Sequence, residues 1–166
     1  MRGKIRRVQY IISEKLLLIL QKSLCALSLT DKGVRAELQA FPEDFTFLLD
    51  TGGAAVKLRV KGNRLVKSGG DDDEAADLTI TFKDITGAFP VLTGRQSAEG
   101  AFAQHRMTVR GEVGCAVVFV RIINIARAYL LPKSVLKKTS ARIPEKNGSA
   151  LAFYRNLVFT KEGAFR

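Results

Sequence analysis

A single histidine and only two cysteines stand in this chain of 166 residues. One imidazole excludes any metal centre or relay built on several histidines. His105 falls where a short helix gives way to a strand and reads as a capping or surface residue. Cys25 and Cys115 lie far apart and in no metal-binding spacing, so they form no disulfide framework and read as small buried hydrophobes of an intracellular protein. No serine sits in a nucleophile elbow. The stretch TGGAAVK, residues 51–57, lacks the GK[ST] ending of a phosphate loop and falls in a hairpin turn. The four consecutive acids Asp71, Asp72, Asp73 and Glu74 lack the glycine-containing spacing of a calcium loop and read as a solvated turn. No helix-turn-helix, zinc-finger or RNA-recognition signature is visible. The aromatic residues fall on inward strand positions, not between basic ones, so nucleic acid is not an expected partner. No repeat or low-complexity segment occurs. The expectation is a protein without catalytic residues, metal or cofactor, and not an enzyme.

Positive charge, by contrast, is abundant and unevenly placed. The net charge is +11, made of +5 in residues 1–40, zero in 41–132 and +6 in 133–166. A neutral centre with two basic ends attracts anionic surfaces. Residues 5–27 have helical periodicity, with Ile5, Val8, Ile12, Leu16, Ile19 and Ala26 on one face and Lys4, Arg7, Lys15 and Lys22 opposite. The segment 10–29 is about long enough to span a bilayer. However, Glu14, Lys15 and Lys22 would each cost about 2.5–3.5 kcal/mol near the bilayer centre. It therefore reads as an amphipathic helix lying on its own domain, on a second copy or on a membrane surface.

A second helix is expected over 30–40, capped by Thr30 or Asp31 and stopped before Pro42. The period then changes. Phe45, Phe47 and Leu49 alternate, as do Val56, Leu58 and Val60 against Lys57, Arg59 and Lys61. This predicts an antiparallel hairpin with one wet face, and a turn at Gly62-Asn63 introduces a short third strand. Leu78, Ile80 and Phe82 form another strand. It leads through the cap Asp84 into a short helix with Ile85, Ala88, Phe89 and Leu92 inward, kinked or shortened by Pro90 and ended by Gly94. Ser97 caps a brief helix, Met107 and Val109 mark a last strand, and the helix from Val113 runs to Pro132. That helix is apolar almost all round, interrupted only by Arg121, Asn124 and Arg127 on one stripe. It must be covered by protein or face lipid. The stretch ALAFYRNLVF, residues 150–159, is read as a late helix or strand.

The order of elements in ADLTITFKDITGAFPVLTGRQSAEGAFAQHRMTVRGEVGCAVVF resembles the sterol carrier protein 2 (SCP2) family. The shared features are the ADxTIT-type strand at Ala76–Thr81 and the helix ending in LTG at Leu92–Gly94. The Ala101–Phe102 pair, the strand Met107–Gly111 and the small-residue opening of the helix from Val113 complete them. The resemblance covers roughly residues 45–130. It implies an α+β fold, a twisted, mostly antiparallel sheet of about five strands with helices on one face. It also implies a division into an N-terminal helical extension (1–40), a lipid-binding domain (41–132) and a basic C-terminal extension (133–166). The family encloses an apolar tunnel for a fatty acid, acyl-CoA, sterol or other lipid. Binding there comes from removing a chain from water at ~0.8 kcal/mol per buried CH₂. The tunnel residues so implied are Phe47, Ile80, Phe82, Ile85, Phe89, Leu92, Phe102, Met107, Val118, Ile122 and Ala126. The basic ends, together with RIINIARAYLLPKSVLKK, are similar to the sterol-carrier-like accessory proteins of bacterial ubiquinone biosynthesis, which implies a prenyl ligand as a further option.

Two functions follow. One is non-catalytic binding or transfer of a lipid, with Lys4, Arg7, Lys15, Lys22, Lys133, Lys137 and Lys138 docking on an anionic membrane, in a cytoplasmic protein at the membrane periphery. The other is a filled-core scaffold of the same fold, an interaction subunit such as an accessory factor in quinone biosynthesis, that pairs with a second copy through residues 5–27. Deleting residues 1–28 is expected to change its oligomeric state.

Overall fold

A computed structural model describes residues 2–68, 75–139 and 143–159, with side chains from residue 7 onward. The acidic run Asp71–Glu74 and the side chains of Lys4 and Ile5 lie outside the described residues.

The strands are β1 (Thr46–Asp50), β2 (Ala55–Lys61), β3 (Arg64–Lys67), β4 (Leu78–Phe82) and β5 (Met107–Arg110), in the spatial order β3-β2-β1-β4-β5. Only the central β1–β4 pair is parallel, and the other three pairs are antiparallel. The sheet is thus mostly antiparallel and five-stranded, as expected. Strand alternation puts Phe47 and Leu49, Val56, Leu58 and Val60, and Leu78, Ile80 and Phe82 on one buried face. At the β2–β3 turn, Gly62 (φ 57°) and Asn63 (φ 59°) are both left-handed, as a two-residue type I′ turn requires. The Asp of the ADxTIT motif has a clear structural task. Asp77 accepts hydrogen bonds from the Thr46 N–H and hydroxyl, each at 2.8 Å, and so pins the start of β1 beside β4. These bonds hold its carboxyl below the usual pKa.

The helices are α1 (Arg2–Thr30), α2 (Lys32–Leu38), α3 (Ile85–Leu92), α4 (Ala98–Ala103), α5 (Val113–Leu130), α6 (Lys133–Thr139) and α7 (Ala150–Phe159), and all but α6 contribute residues to the core cluster that holds the buried face of the sheet. The caps fall where the sequence places them. Asp31 accepts from Gly33 and Val34, Asp84 from Gly87 and Ser97 from Gly100. Pro90 is accommodated because α3 has only eight residues, and its carbonyl accepts from the Arg95 and Gln96 N–H groups past the helix end. In the basic C-terminal extension α6 forms directly after Pro132, whose carbonyl accepts from the Val135 and Leu136 N–H groups.

The facing of α1 differs from expectation. Its buried leucines are Leu17, Leu20, Leu24 and Leu27, with Ser13, Gln21 and Ser28 among them. Of the expected inward residues, Ala26 is buried and Leu16 half-buried, whereas Val8, Ile12 and Ile19 are exposed. The run LLLIL puts apolar side chains at every angle, so periodicity reveals the helix but not its phase. The leucine stripe at spacing 3-4-3 wins because it is the more continuous. Arg7 and Lys15 therefore share the solvent side of α1 with Val8, Ile11 and Leu18, instead of lying opposite the apolar face. In α3 the inward residues are Gly87, Ala88 and Val91, and Ile85, Phe89 and Leu92 are half-buried.

Residues from both chain ends enter the same core as the sheet, α1 through its leucines and α7 through Phe153. They are tied together at a buried polar knot. Asp31 Oδ2 accepts from the Tyr129 hydroxyl at 2.7 Å and from the Asn147 N–H at 3.0 Å, and the Tyr129 hydroxyl accepts from the Gly148 N–H at 3.1 Å. Gly148 pairs with Asp31 in an isolated β-bridge, and a Cβ there would lie 2.5 Å from the Thr30 carbonyl oxygen, so only glycine fits this approach.

Candidate functional site

Between the sheet and the helices lies an apolar cavity of about 250 Å³. Strand alternation supplies its floor, Leu49 from β1, Ile80 and Phe82 from β4 and Met107 from β5. Val91 and Leu92 of α3 and Ala98 of α4 form one wall. Val120, Ile123, Arg127 and Leu130 form another, one stripe of α5 at spacing 3-4-3. Leu16, Ile19 and Leu20 of α1 close the space from above. Ile19 lines the cavity yet is 42 % exposed, and Leu16, Leu92, Val120, Leu130 and Leu131 are only half-buried, so the mouth lies among these residues. A second apolar groove of about 350 Å³ runs between α4, β5 and the first half of α5. It shares Ala98, Met107 and Val120 with the cavity, and these three side chains form the partition. Met107 is a pliable divider, since methionine changes rotamer at little cost.

The cavity's apolar wall offers ordered water few partners and offers a hydrocarbon chain surface to bury against, at about 25 cal/mol per Å².

Arg127 is the one charged side chain among the described residues that line the cavity, and it is 5 % exposed. Its Nη1 donates to Asn124 Oδ1 at 3.2 Å, and Asn124 Nδ2 donates to Glu99 Oε1 at 3.1 Å. A polar chain thus runs from an exposed carboxylate on α4 to a buried guanidinium on α5. Burial lowers the Arg127 pKa, Glu99 opposes that shift, and the group stays cationic at ordinary pH. The thiols offer no nucleophile. Burial pushes Cys25 up to about 12, and burial with Glu112 nearby raises Cys115. Among the described residues no group of three His, Cys, Asp or Glu side chains could hold a metal ion.

Of the eleven residues that the resemblance implies, Ile80, Phe82, Leu92 and Met107 line the cavity, and Phe102 joins Met107 in the groove. The other six lie elsewhere. Phe47 stacks on Phe119 with centroids 4.3 Å apart, inside the filled part of the core. Ile122 and Ala126 are fully buried on another face of α5, and Val118 is half-buried against the core. Ile85 and Phe89 sit on the outer side of α3, with the Arg95 guanidinium 5.8 Å from the Phe89 ring centre. The α1 and α5 linings are not legible in the sequence because the LLLIL run of α1 and most of α5 are apolar at nearly every angle. The usable signal is Arg127, a charge interrupting a core helix. Of the docking residues, Arg7 and Lys15 are exposed on α1, Lys22 is half-buried there, and Lys133, Lys137 and Lys138 are exposed on α6.

No protein-family model matches the chain, and no curated protein matches it. Solved structures similar to it are SCP2 domains, the family that the sequence motifs resemble. A UbiJ-SCP2 ubiquinone synthesis protein is 14 % identical over 70 % of this chain and 96 % of its own, with a TM-score of 0.44. Sterol carrier protein 2 from Yarrowia lipolytica, in its apo form, is 17 % identical over 65 % of this chain and 86 % of its own, with a TM-score of 0.44. A sterol carrier protein domain of Helicoverpa armigera is 16 % identical over 64 % and 84 %, with a TM-score of 0.43.

Proposed function

We propose that the protein is a non-catalytic lipid carrier that takes a fatty acyl or prenyl chain into the cavity between sheet and helices. The observation that carries this reading is the cavity itself, a space with a mouth and an apolar lining where a packed core would have none. A long chain gains on the order of 10 kcal/mol from leaving water, before the entropic costs of binding. The solvent side of α1 supports docking on an anionic membrane from the cytoplasm. Its apolar residues can enter the headgroup layer while Arg7 and Lys15 reach back to phosphates. Ile19, on that same side, borders the mouth, so docking brings the mouth to the lipid. The test is organic extraction of natively purified protein followed by mass spectrometry. A stoichiometric acyl or prenyl species is expected. An empty extract, together with no binding of a fluorescent fatty acid, overturns the reading.

The exposed apolar residues of α1, Val8, Ile11, Ile12 and Leu18, favour a second reading, a scaffold that uses this face to bind another subunit. Deleting residues 1–28 does not test it, because Leu17, Leu20, Leu24 and Leu27 belong to the core. The double substitution Ile11→Glu, Leu18→Glu leaves the core intact. On the carrier reading it abolishes membrane binding and leaves the mass in solution unchanged. On the scaffold reading it dissolves an oligomer.

A further inference from the structure

We infer that α7 is the element that enters a bilayer of anionic phospholipid, beside the mouth of the cavity. The inference rests on the docking half of the carrier reading and names the helix that inserts. The four most exposed large apolar side chains among the described residues include three on this one helix, Leu151 at 82 %, Phe159 at 78 % and Val158 at 71 %. Apolar side chains scattered singly over a surface are ordinary, whereas a cluster of them marks a contact. At helical spacing Leu151, Tyr154, Arg155 and Val158 share one side, with Phe159 at its edge, and Phe153 and Leu157 lie opposite. Phe153 is fully buried with its ring centre 4.9 Å from that of Tyr129, and Leu157 packs against the core. The inner side thus fixes α7 to the body, and the outer side stands in water as an apolar ridge.

The charge beside the ridge suits one partner. α6 and α7 carry Lys133, Lys137, Lys138 and Arg155 and no acidic residue, and all four cations are exposed. An anionic leaflet meets both features at once, with hydrocarbon for the ridge and phosphate for the cations. Arg155 stands within the ridge, where its long side chain reaches back to the headgroups while its apolar neighbours go deeper. The ridge also lies close to the mouth. The Tyr154 hydroxyl donates to the Tyr129 carbonyl at 2.6 Å, one residue before Leu130, and Leu130 and Leu131 are mouth residues. α6 begins two residues after Leu131. An inserted α7 therefore holds the mouth against the leaflet, where a lipid enters or leaves.

The chain contains no tryptophan, so one introduced at an exposed site is a sole reporter. Phe159→Trp is made in the full chain and mixed with phosphatidylcholine vesicles with and without phosphatidylserine. With phosphatidylserine its emission is expected to shift to the blue and to be quenched by lipids brominated along the acyl chain. The double substitution Leu151→Ser, Val158→Ser is expected to weaken sedimentation with the same vesicles at least about tenfold, since two apolar contacts are lost. If the unmodified chain sediments with acidic vesicles while the Phe159→Trp emission stays as it is in water, the inference is overturned and docking through the other elements stands. Undiminished sedimentation of the double variant overturns it too, as does an equal response on neutral vesicles. A blue shift that needs no vesicles and grows with protein concentration assigns the ridge to a second copy instead. Failure of the unmodified chain to sediment with acidic vesicles removes the docking half of the carrier reading and this inference with it, and the organic extract reports separately on whether a lipid is carried.

Discussion

Two of the hydrogen bonds that Asp31 accepts come from its own helix and two from the far side of the chain. The carboxylate caps α2 through the Gly33 and Val34 N–H groups and also receives the Tyr129 hydroxyl and the Asn147 N–H. Asp31→Ala leaves all four donors without it, and buried donors so stranded cost about 1–3 kcal/mol each. A loss of about 3 kcal/mol or more in urea unfolding is expected. Asp31→Asn keeps an oxygen for the helix but turns an amide donor toward another donor, for a smaller loss of about 1–2 kcal/mol. The cap was legible in the sequence, since Asp before a short helix is a local signal. The partners Tyr129 and Asn147 were not, because nothing local marks which distant hydroxyl will meet a carboxylate. Cys25 offers a second check. Its thiol has an ordinary pKa of 9.0 and is pushed up by burial to about 12 in the folded chain. A raised folded pKa contributes stability that is complete below pH 9 and is lost as pH climbs from 9 to 12, on the order of 1 kcal/mol per pH unit. Tyr129, also held protonated by burial and by Asp31, adds to the loss above pH 10. Cys25→Ala should flatten the dependence of the urea midpoint on pH between 9 and 10. An unchanged slope would show that the thiol does not take part.

At the scale of elements, strands were read more surely than helices. A strand offers two faces, so a single wet residue such as Lys57 or Thr79 settles which way Leu58 or Ile80 points. A helix offers a continuum of angles, and where nearly all of them are apolar, as in the LLLIL run of α1 and in α5, the pattern gives the element without its orientation. The resemblance implies Ile122 and Ala126 as tunnel residues of α5, and the stripe that lines the cavity is the neighbouring one with Ile123 and Arg127. The phase of α5 can be tested by adjacent residues. Ile123→Phe adds bulk into the cavity and is expected to lower acyl-probe affinity at least tenfold with little change in the unfolding midpoint. Ile122→Ala removes a fully buried side chain and is expected to cost about 2–5 kcal/mol of stability. If the two variants exchange phenotypes, the α5 stripe assigned to the cavity is the wrong one.

At the scale of the whole molecule, the excess of positive charge bears on association. Lys133, Lys137 and Lys138 are all exposed on α6, and basic residues near an anionic leaflet contribute about 1 kcal/mol each. Replacing the three by glutamine should weaken binding to phosphatidylserine-containing vesicles on the order of a hundredfold at low salt. Binding to neutral vesicles should stay weak throughout, and raising the salt on the unmodified protein should reproduce the loss. Equal binding to neutral and acidic vesicles would exclude an electrostatic docking mechanism. Charge distribution was legible because it is a property of counts. The cavity was not, because its existence depends on how side chains from α1, α3 and α5 fail to fill a shared space.

The position of α1 against later elements sets the order in which this molecule can be completed. α1 packs on α3, α5 and α7, each of which leaves the ribosome after it. At 5–20 residues per second, Phe153 emerges roughly 6 to 25 seconds after Leu27. Over that interval α1 gains its partners one element at a time, α2, β2 and β3 before α3 and α5, and its outer side offers isoleucines and basic residues. A growing chain in this condition is a substrate for whatever covers apolar helices early, a chaperone or a nearby bilayer. The native state closes only when the last helix arrives.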